Sequence, residues 1–143
     1  MDKTMMGAKT QLSGACLCGA CRFKAATTIA MINNCHCTDC RRITGAVFGT
    51  LLWLPVEDVE MSGDFATFEH RADSGTAMTK LFCRTCGSQM FSRNGRRPHL
   101  IAARAGMIDQ KDLVQPQFNV FCNSAIPSTP FDPALPRHAR MPT

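Results

Sequence analysis

Two cysteine pairs constrain this chain more than any other feature. Gly14-Ala15-Cys16-Leu17-Cys18-Gly19 carries the first and Phe82-Cys83-Arg84-Thr85-Cys86-Gly87-Ser88 the second, with 64 residues between Cys18 and Cys83. Structural zinc takes four ligands in a tetrahedron, often as two tight pairs that the fold brings together. Gly87 lets the chain turn so that backbone N–H groups face the sulfurs. Cys16, Cys18, Cys83 and Cys86 are therefore expected to form one closed zinc site that fastens the two ends of a sheet. The competing reading, ordinary buried core cysteines, leaves the paired spacing and the flanking glycines without a purpose.

A third cluster lies between the pairs, in Cys35-His36-Cys37-Thr38-Asp39-Cys40-Arg41-Arg42. Cys35, Cys37 and Cys40 are too close in sequence to be anything but neighbours, and a bend can aim all three at one ion. Three protein ligands with an exchangeable fourth position is the arrangement of catalytic zinc. The alternative is a second structural site closed by His36, Cys21, Cys122 or a remote histidine; His36, between two ligands, is expected to face away. Zinc with three thiolates carries a charge of −1. Such an ion is a poor Lewis acid and a poor source of hydroxide, but it suits a fourth thiolate that must stay nucleophilic. Arg41 and Arg42 are candidates to offset the negative charge or to bind a substrate carboxylate.

The surrounding chain supports a metal reading. Its 143 residues fit one domain, and a domain of ~150 residues buries roughly 70% of its unfolded surface. The best apolar run, Val47 to Leu54, is interrupted by Gly49 and Thr50 and is far short of a membrane span. Residues 1–9 read as a loose leader without a signal-peptide core, so a cytoplasmic location is expected. Thiols stay reduced there, and clustered cysteines mean metal rather than disulfides. The formal charge is +5. Seven thiolates would remove seven units and two zinc ions restore four, leaving a balance of about +2, too little to argue for nucleic acid.

Short strands and frequent glycine turns indicate a mostly-β, single domain over residues 10–124. The first pair sits in a turn between two strands within Gln11 to Lys24. Further strands are expected at Ile29 to Asn34, Val47 to Leu54, Phe65 to His70, Thr76 to Phe82, Met90 to Ser92, His99 to Ala105 and Phe118 to Cys122. Thr38 to Ile43 should make one or two helical turns, capped near Thr38 or Asp39 and ended by Gly45. Pro55 should break its strand. Residues 125–143 form a proline-rich, extended tail that Phe131 and Leu135 could pin to the body.

The three motifs, Gly-x-Cys-x-Cys-Gly, Cys-x-Cys-x-x-Cys-Arg-Arg and Phe-Cys-x-x-Cys-Gly-Ser, occur here in order at 14–19, 35–42 and 82–88. In this the sequence resembles the glutathione-dependent formaldehyde-activating enzyme family, which includes a centromere-protein branch. The resemblance implies a zinc-stabilised antiparallel β-tent. It places a closed zinc on Cys16, Cys18, Cys83 and Cys86, and a substrate-proximal zinc on Cys35, Cys37 and Cys40. It also implies a carbon–sulfur lyase that joins glutathione and formaldehyde, or cleaves the adduct. Members of the family often carry a histidine and a tryptophan where this chain reads Pro116-Gln117-Phe118-Asn119-Val120-Phe121.

Two functions follow. One is a zinc-dependent lyase acting on a glutathione-type thiol and an aldehyde, with Cys35, Cys37 and Cys40 at the reaction centre, two zinc ions per chain, and His70 or His99 as the nearest candidates for a general acid. The other is a non-catalytic zinc scaffold for a protein or a small thiol. Neither calls for nucleic acid or membrane.

Overall fold

The computed structural model describes residues 9–142, so residues 1–8 of the expected leader lie outside the described part. Among the described residues, ten strands and one α-helix follow one another as β1 (Thr10–Ala15), β2 (Arg22–Thr27), β3 (Met31–Cys35), α1 (Thr38–Thr44), β4 (Gly49–Pro55), β5 (Val59–Ser62), β6 (Phe65–Arg71), β7 (Ala77–Cys83), β8 (Gln89–Asn94), β9 (Leu100–Arg104) and β10 (Phe118–Val120). β1, β2 and β5 form a three-stranded sheet; the larger sheet runs β10-β3-β4-β9-β8-β7-β6. Every pair is antiparallel except β10 with β3, which is parallel. The architecture is the mostly-β, mostly antiparallel arrangement that the resemblance implied, here in two sheets. Among the described residues, no helix is long and apolar enough to cross a membrane.

The main core lies between the two sheets. In β2 every second residue is buried, placing Phe23, Ala25 and Thr27 inward, the alternation of a strand with one wet face. They meet Leu52, Leu54, Phe91 and Ile101 of the large sheet, and Phe23 packs edge-on against Phe91 with ring centroids 5.3 Å apart. The opposite face of the large sheet is also covered. There Leu51, Trp53, Ala102 and Val120 pack with Cys35 and Cys40 beneath α1 and the C-terminal segment. β4 is thus apolar on both faces, which is why Val47 to Leu54 reads as a continuous apolar run rather than an alternating one.

Three local outcomes differ from the sequence reading. Pro55 ends β4 as its last residue, paired with Leu100, and a 3-10 turn at Val56–Asp58 follows it. β5 was not expected. It is a short edge strand with exposed Glu60, Met61 and Ser62, so no buried period marks it in sequence. The tail is not extended throughout: it turns at Ile126–Thr129 and Asp132–Leu135, and it is bound to the body. The Asn119 N–H donates to the Pro136 carbonyl at 2.9 Å, the His138 N–H to the Asn119 carbonyl at 2.9 Å, and the Cys122 N–H to the His138 carbonyl at 3.0 Å. Phe131 stacks on His36 with centroids 4.8 Å apart.

The turn from β5 to β6 depends on Gly63, whose φ is 108°. A Cβ there would meet the Ala20 carbonyl oxygen, with the Cys21 Cα at 2.8 Å. Both are backbone atoms of the first cysteine knuckle and have nowhere to move. Gly63→Ala is expected to destabilise the fold by at least about 2 kcal/mol, from positive φ and overlap together. Urea unfolding of the two proteins measures this, and a change under 0.5 kcal/mol, roughly the level of a neutral surface substitution, would show that the turn relaxes freely.

Candidate metal centres

The β1–β2 and β7–β8 hairpins bring the two cysteine pairs together. The sulfurs of Cys16, Cys18, Cys83 and Cys86 all lie within 4.8 Å of one another. Two of the separations are 3.6 Å (Cys16–Cys18) and 3.7 Å (Cys18–Cys83). A tetrahedron with Zn–S bonds of ~2.3 Å has edges of about 3.75 Å. The donor set therefore fits a zinc ion in chemistry and in spacing. Backbone N–H groups face the sulfurs as expected: Cys21 donates to Cys16 Sγ at 3.2 Å and Cys86 to Cys83 Sγ at 3.4 Å. Gly87, at φ 79°, makes the second turn possible. Ser88 adds a side-chain hydroxyl 3.2 Å from Cys86 Sγ. That hydroxyl, with further backbone hydrogen bonds, brings the Cys86 thiol down to about 5, poised to ligate as thiolate.

The second cluster is built on the N-terminus of α1. Cys35 is the last residue of β3, and Cys37 caps the helix. Its sulfur accepts the Cys40 N–H at 3.2 Å. The sequence reading put the cap near Thr38 or Asp39; the structure gives it to the adjacent Cys37, which replaces the usual Ser or Asp oxygen while aiming its sulfur at the cluster. Gly45 ends the helix at φ 71°, its N–H bonded to the Arg41 carbonyl at 2.8 Å. The sulfurs of Cys35, Cys37 and Cys40 lie within 4.8 Å of one another, and no fourth Cys, His, Asp or Glu joins them among the described residues. Hydrogen bonds from the Cys35 and Cys37 thiols, with the charge of Arg104 behind them, pull the Cys40 thiol down to about 2, while Cys35 is pushed well above its ordinary range. Three soft sulfurs with an open side suit zinc with one exchangeable position.

The alternative fourth ligands are each engaged elsewhere. Cys21 is buried beside the closed cluster, and its thiol donates to the Asp64 carbonyl at 3.3 Å. Cys122 sits under the tail. His36 is fully buried and faces away from the cluster, with Nε2 2.9 Å from Asn119 Oδ1 and its ring packed between Phe48 and Phe131. His99 is exposed, at the end of the sheet opposite the three cysteines. His70 lines a small cavity of about 220 Å³ with Asp39, Arg42 and Lys80.

Arg41 and Arg42 make no hydrogen bond to a cluster sulfur. Arg41 Nη2 donates to Thr38 Oγ1 at 3.2 Å, and Arg42 is exposed. The buried cations near the cluster are two that the sequence reading missed. Arg104, 5% exposed, places Nη1 4.0 Å from Cys40 Sγ. Lys80, 3% exposed, donates from Nζ to Ser92 Oγ at 2.9 Å, and burial holds its pKa below the usual lysine range. The available signal was a basic residue inside an apolar strand: Leu100-Ile101-Ala102-Ala103-Arg104 has no reason to bury its arginine unless an anionic partner waits there.

A larger cavity of about 550 Å³ opens beside the second cluster, between α1 and the second knuckle. Its walls include Phe48, Gly49, Cys86, Ser88 and Arg104. The three cysteines do not line it, but Gly49 and Arg104 both do, and both also approach Cys40.

Fold and clusters together define a small β-tent protein with two cysteine clusters able to hold metal. Residues 11–124 match the glutathione-dependent formaldehyde-activating enzyme family, and the chain belongs to it. A Colletotrichum graminicola protein provisionally named for that activity is 26% identical over 135 residues, covering 88% of this chain and 70% of its own length. A similarly named Aspergillus flavus protein is 27% identical over 116 residues, covering 78% of this chain and 60% of its own. The crystal structure of a Rhodobacter sphaeroides protein shares the fold at a TM-score of 0.56 and 23% identity, over 73% of this chain and 96% of that one.

Proposed function

We propose that this protein is a carbon–sulfur lyase that joins a glutathione-type thiol to a small aldehyde, or cleaves the adduct, at the Cys35, Cys37 and Cys40 centre. The observation that carries this reading is a cluster of three sulfurs with no fourth protein ligand, next to a cavity large enough for a tripeptide thiol to enter at one end. In joining, the thiol sulfur forms a bond to the aldehyde carbon, the carbonyl π pair moves to oxygen, and the thiol proton ends on that oxygen. Zinc, when bound, keeps an incoming thiol ionised at neutral pH.

The chain's own residues supply the rest. Cys37 and Cys40, fixed by the helix cap, hold the open side of the cluster in one place. Phe48 and Gly49 shape the approach, while Arg42 lines the separate 220 Å³ cavity, where it can receive a carboxylate. Cys16, Cys18, Cys83 and Cys86 take the second zinc and serve the fold. His99 is too distant to move a proton here. His70 has the nearer position.

The test is zinc content per chain followed by exchange spectroscopy. Two zinc ions are expected, and the interconversion of formaldehyde, glutathione and their adduct should run faster with loaded protein than without it. One tightly held zinc and an unchanged spontaneous rate would reject the lyase and leave a zinc scaffold.

A further inference from the structure

Arg104 is buried and under-used. Its Nη1 faces Cys40 Sγ at 4.0 Å, while Nε and Nη2 are buried with no acceptor among the described residues. The backbone is shaped to admit it. Gly49, paired with Cys35 across the β3–β4 ladder, would place a Cβ 2.8 Å from Nη1. A side chain at residue 49 would push the guanidinium off the sulfur. Arg104 also lines the 550 Å³ cavity, so it borders both the sulfur cluster and the space through which a ligand arrives.

A guanidinium does not lose its proton in a protein. Three thiolates around a divalent ion leave one negative charge, and Arg104 cancels it. A fourth thiolate would take the centre to −2 and deepen its attraction to Arg104, whose Nε and Nη2 lack acceptors among the described residues, whereas a neutral ligand would add no such attraction. We infer that Arg104 is the specificity-determining residue of the three-cysteine centre, selecting an anionic fourth ligand, a thiolate, over neutral nitrogen or oxygen ligands. This rests on the lyase reading above and names the ionic form of the substrate that the site takes.

Cobalt(II)-loaded protein provides a direct readout, because sulfur-to-cobalt charge-transfer bands report each added thiolate. Glutathione and imidazole would be titrated into the unaltered protein, Arg104→Met and Arg104→Lys. Loss of one close, poorly solvated charge should weaken glutathione binding by at least about tenfold in Arg104→Met. Imidazole binding should hold or strengthen, and Arg104→Lys should recover most of the glutathione affinity. Equal glutathione affinity in Arg104→Met and the unaltered protein would overturn the assignment, and so would a parallel loss of glutathione and imidazole. If Arg104→Met does not fold, Gly49→Ala displaces the guanidinium without deleting it; it should show the same selective loss, and an unchanged ratio of the two affinities would overturn the proposal. Unaltered cobalt protein whose spectrum ignores millimolar glutathione would overturn the lyase reading along with this one, whereas a response that Arg104→Met shares in full defeats this one alone.

Discussion

Cys83→Ser protein is expected to be unfolded or insoluble, while Cys37→Ser protein is expected to fold and to hold one zinc ion fewer. The difference follows from where each sulfur sits. Cys83 is fully buried at the end of β7, and its cluster ties the β7–β8 hairpin of the large sheet to the β1–β2 hairpin of the small one. Zinc in a closed four-thiolate site contributes about 10–16 kcal/mol to folding in small domains, which equals or exceeds the whole stability of a typical domain, about 5–15 kcal/mol. Cys37 is different. Its sulfur caps α1 from an intermediate, partly exposed position, and a serine oxygen is itself a preferred cap. Serine therefore keeps the helix start and removes only the metal ligand. Far-UV circular dichroism, thermal melting and metal analysis separate the outcomes. Collapse of both variants would mean that the two clusters do not divide into a fold-making one and a dispensable one.

Asn119→Leu is expected to cost about 2–6 kcal/mol, the second largest effect among these predictions. Asn119 Oδ1 accepts from Asn34 Nδ2 at 3.2 Å and stands 2.9 Å from His36 Nε2, all three residues being buried. Leucine has the same branching and heavy-atom count but no acceptor, so two buried groups lose their partner at about 1–3 kcal/mol each. The backbone bonds of Asn119 to Pro136 and His138 remain, so the tail itself should stay attached. Urea denaturation measures the loss. Because His36 lies between two cluster cysteines, Asn119→Leu should also loosen metal at the second cluster before the first, which chelator competition would resolve. A stability change below 1 kcal/mol would mean that the network exchanges its partners for water.

The cysteine framework was legible because metal ligation demands particular residues at particular spacings, and both clusters assemble from the residues that the spacing picked out. Most strands were legible from β-branched and aromatic runs between glycine turns. β5 was not, since an edge strand with exposed Glu60 and Met61 carries no burial period. The helix start was located, but the capping residue itself, Cys37, was not picked out. Capping preferences are learned from oxygen side chains, and here a sulfur takes that place. Arg104 and Lys80 escaped notice for another reason. Their significance lies in burial near the Cys40 sulfur on α1, and the approach of strand and helix is a tertiary fact that no local window contains.

The turn at Cys86–Gln89 belongs to two structures at once. Cys86 belongs to the four-cysteine cluster, and Ser88 holds both the Cys86 sulfur and, at 3.1 Å, the Leu17 N–H of the opposite hairpin. The same residues, Cys86, Gly87, Ser88 and Gln89, form one wall of the cavity beside the second cluster. Oxidation of the four-cysteine cluster would therefore be felt at the wall of the cavity beside the other cluster. The two clusters share masonry, and damage to the four-cysteine cluster is expected to reshape the cavity beside the three-cysteine one.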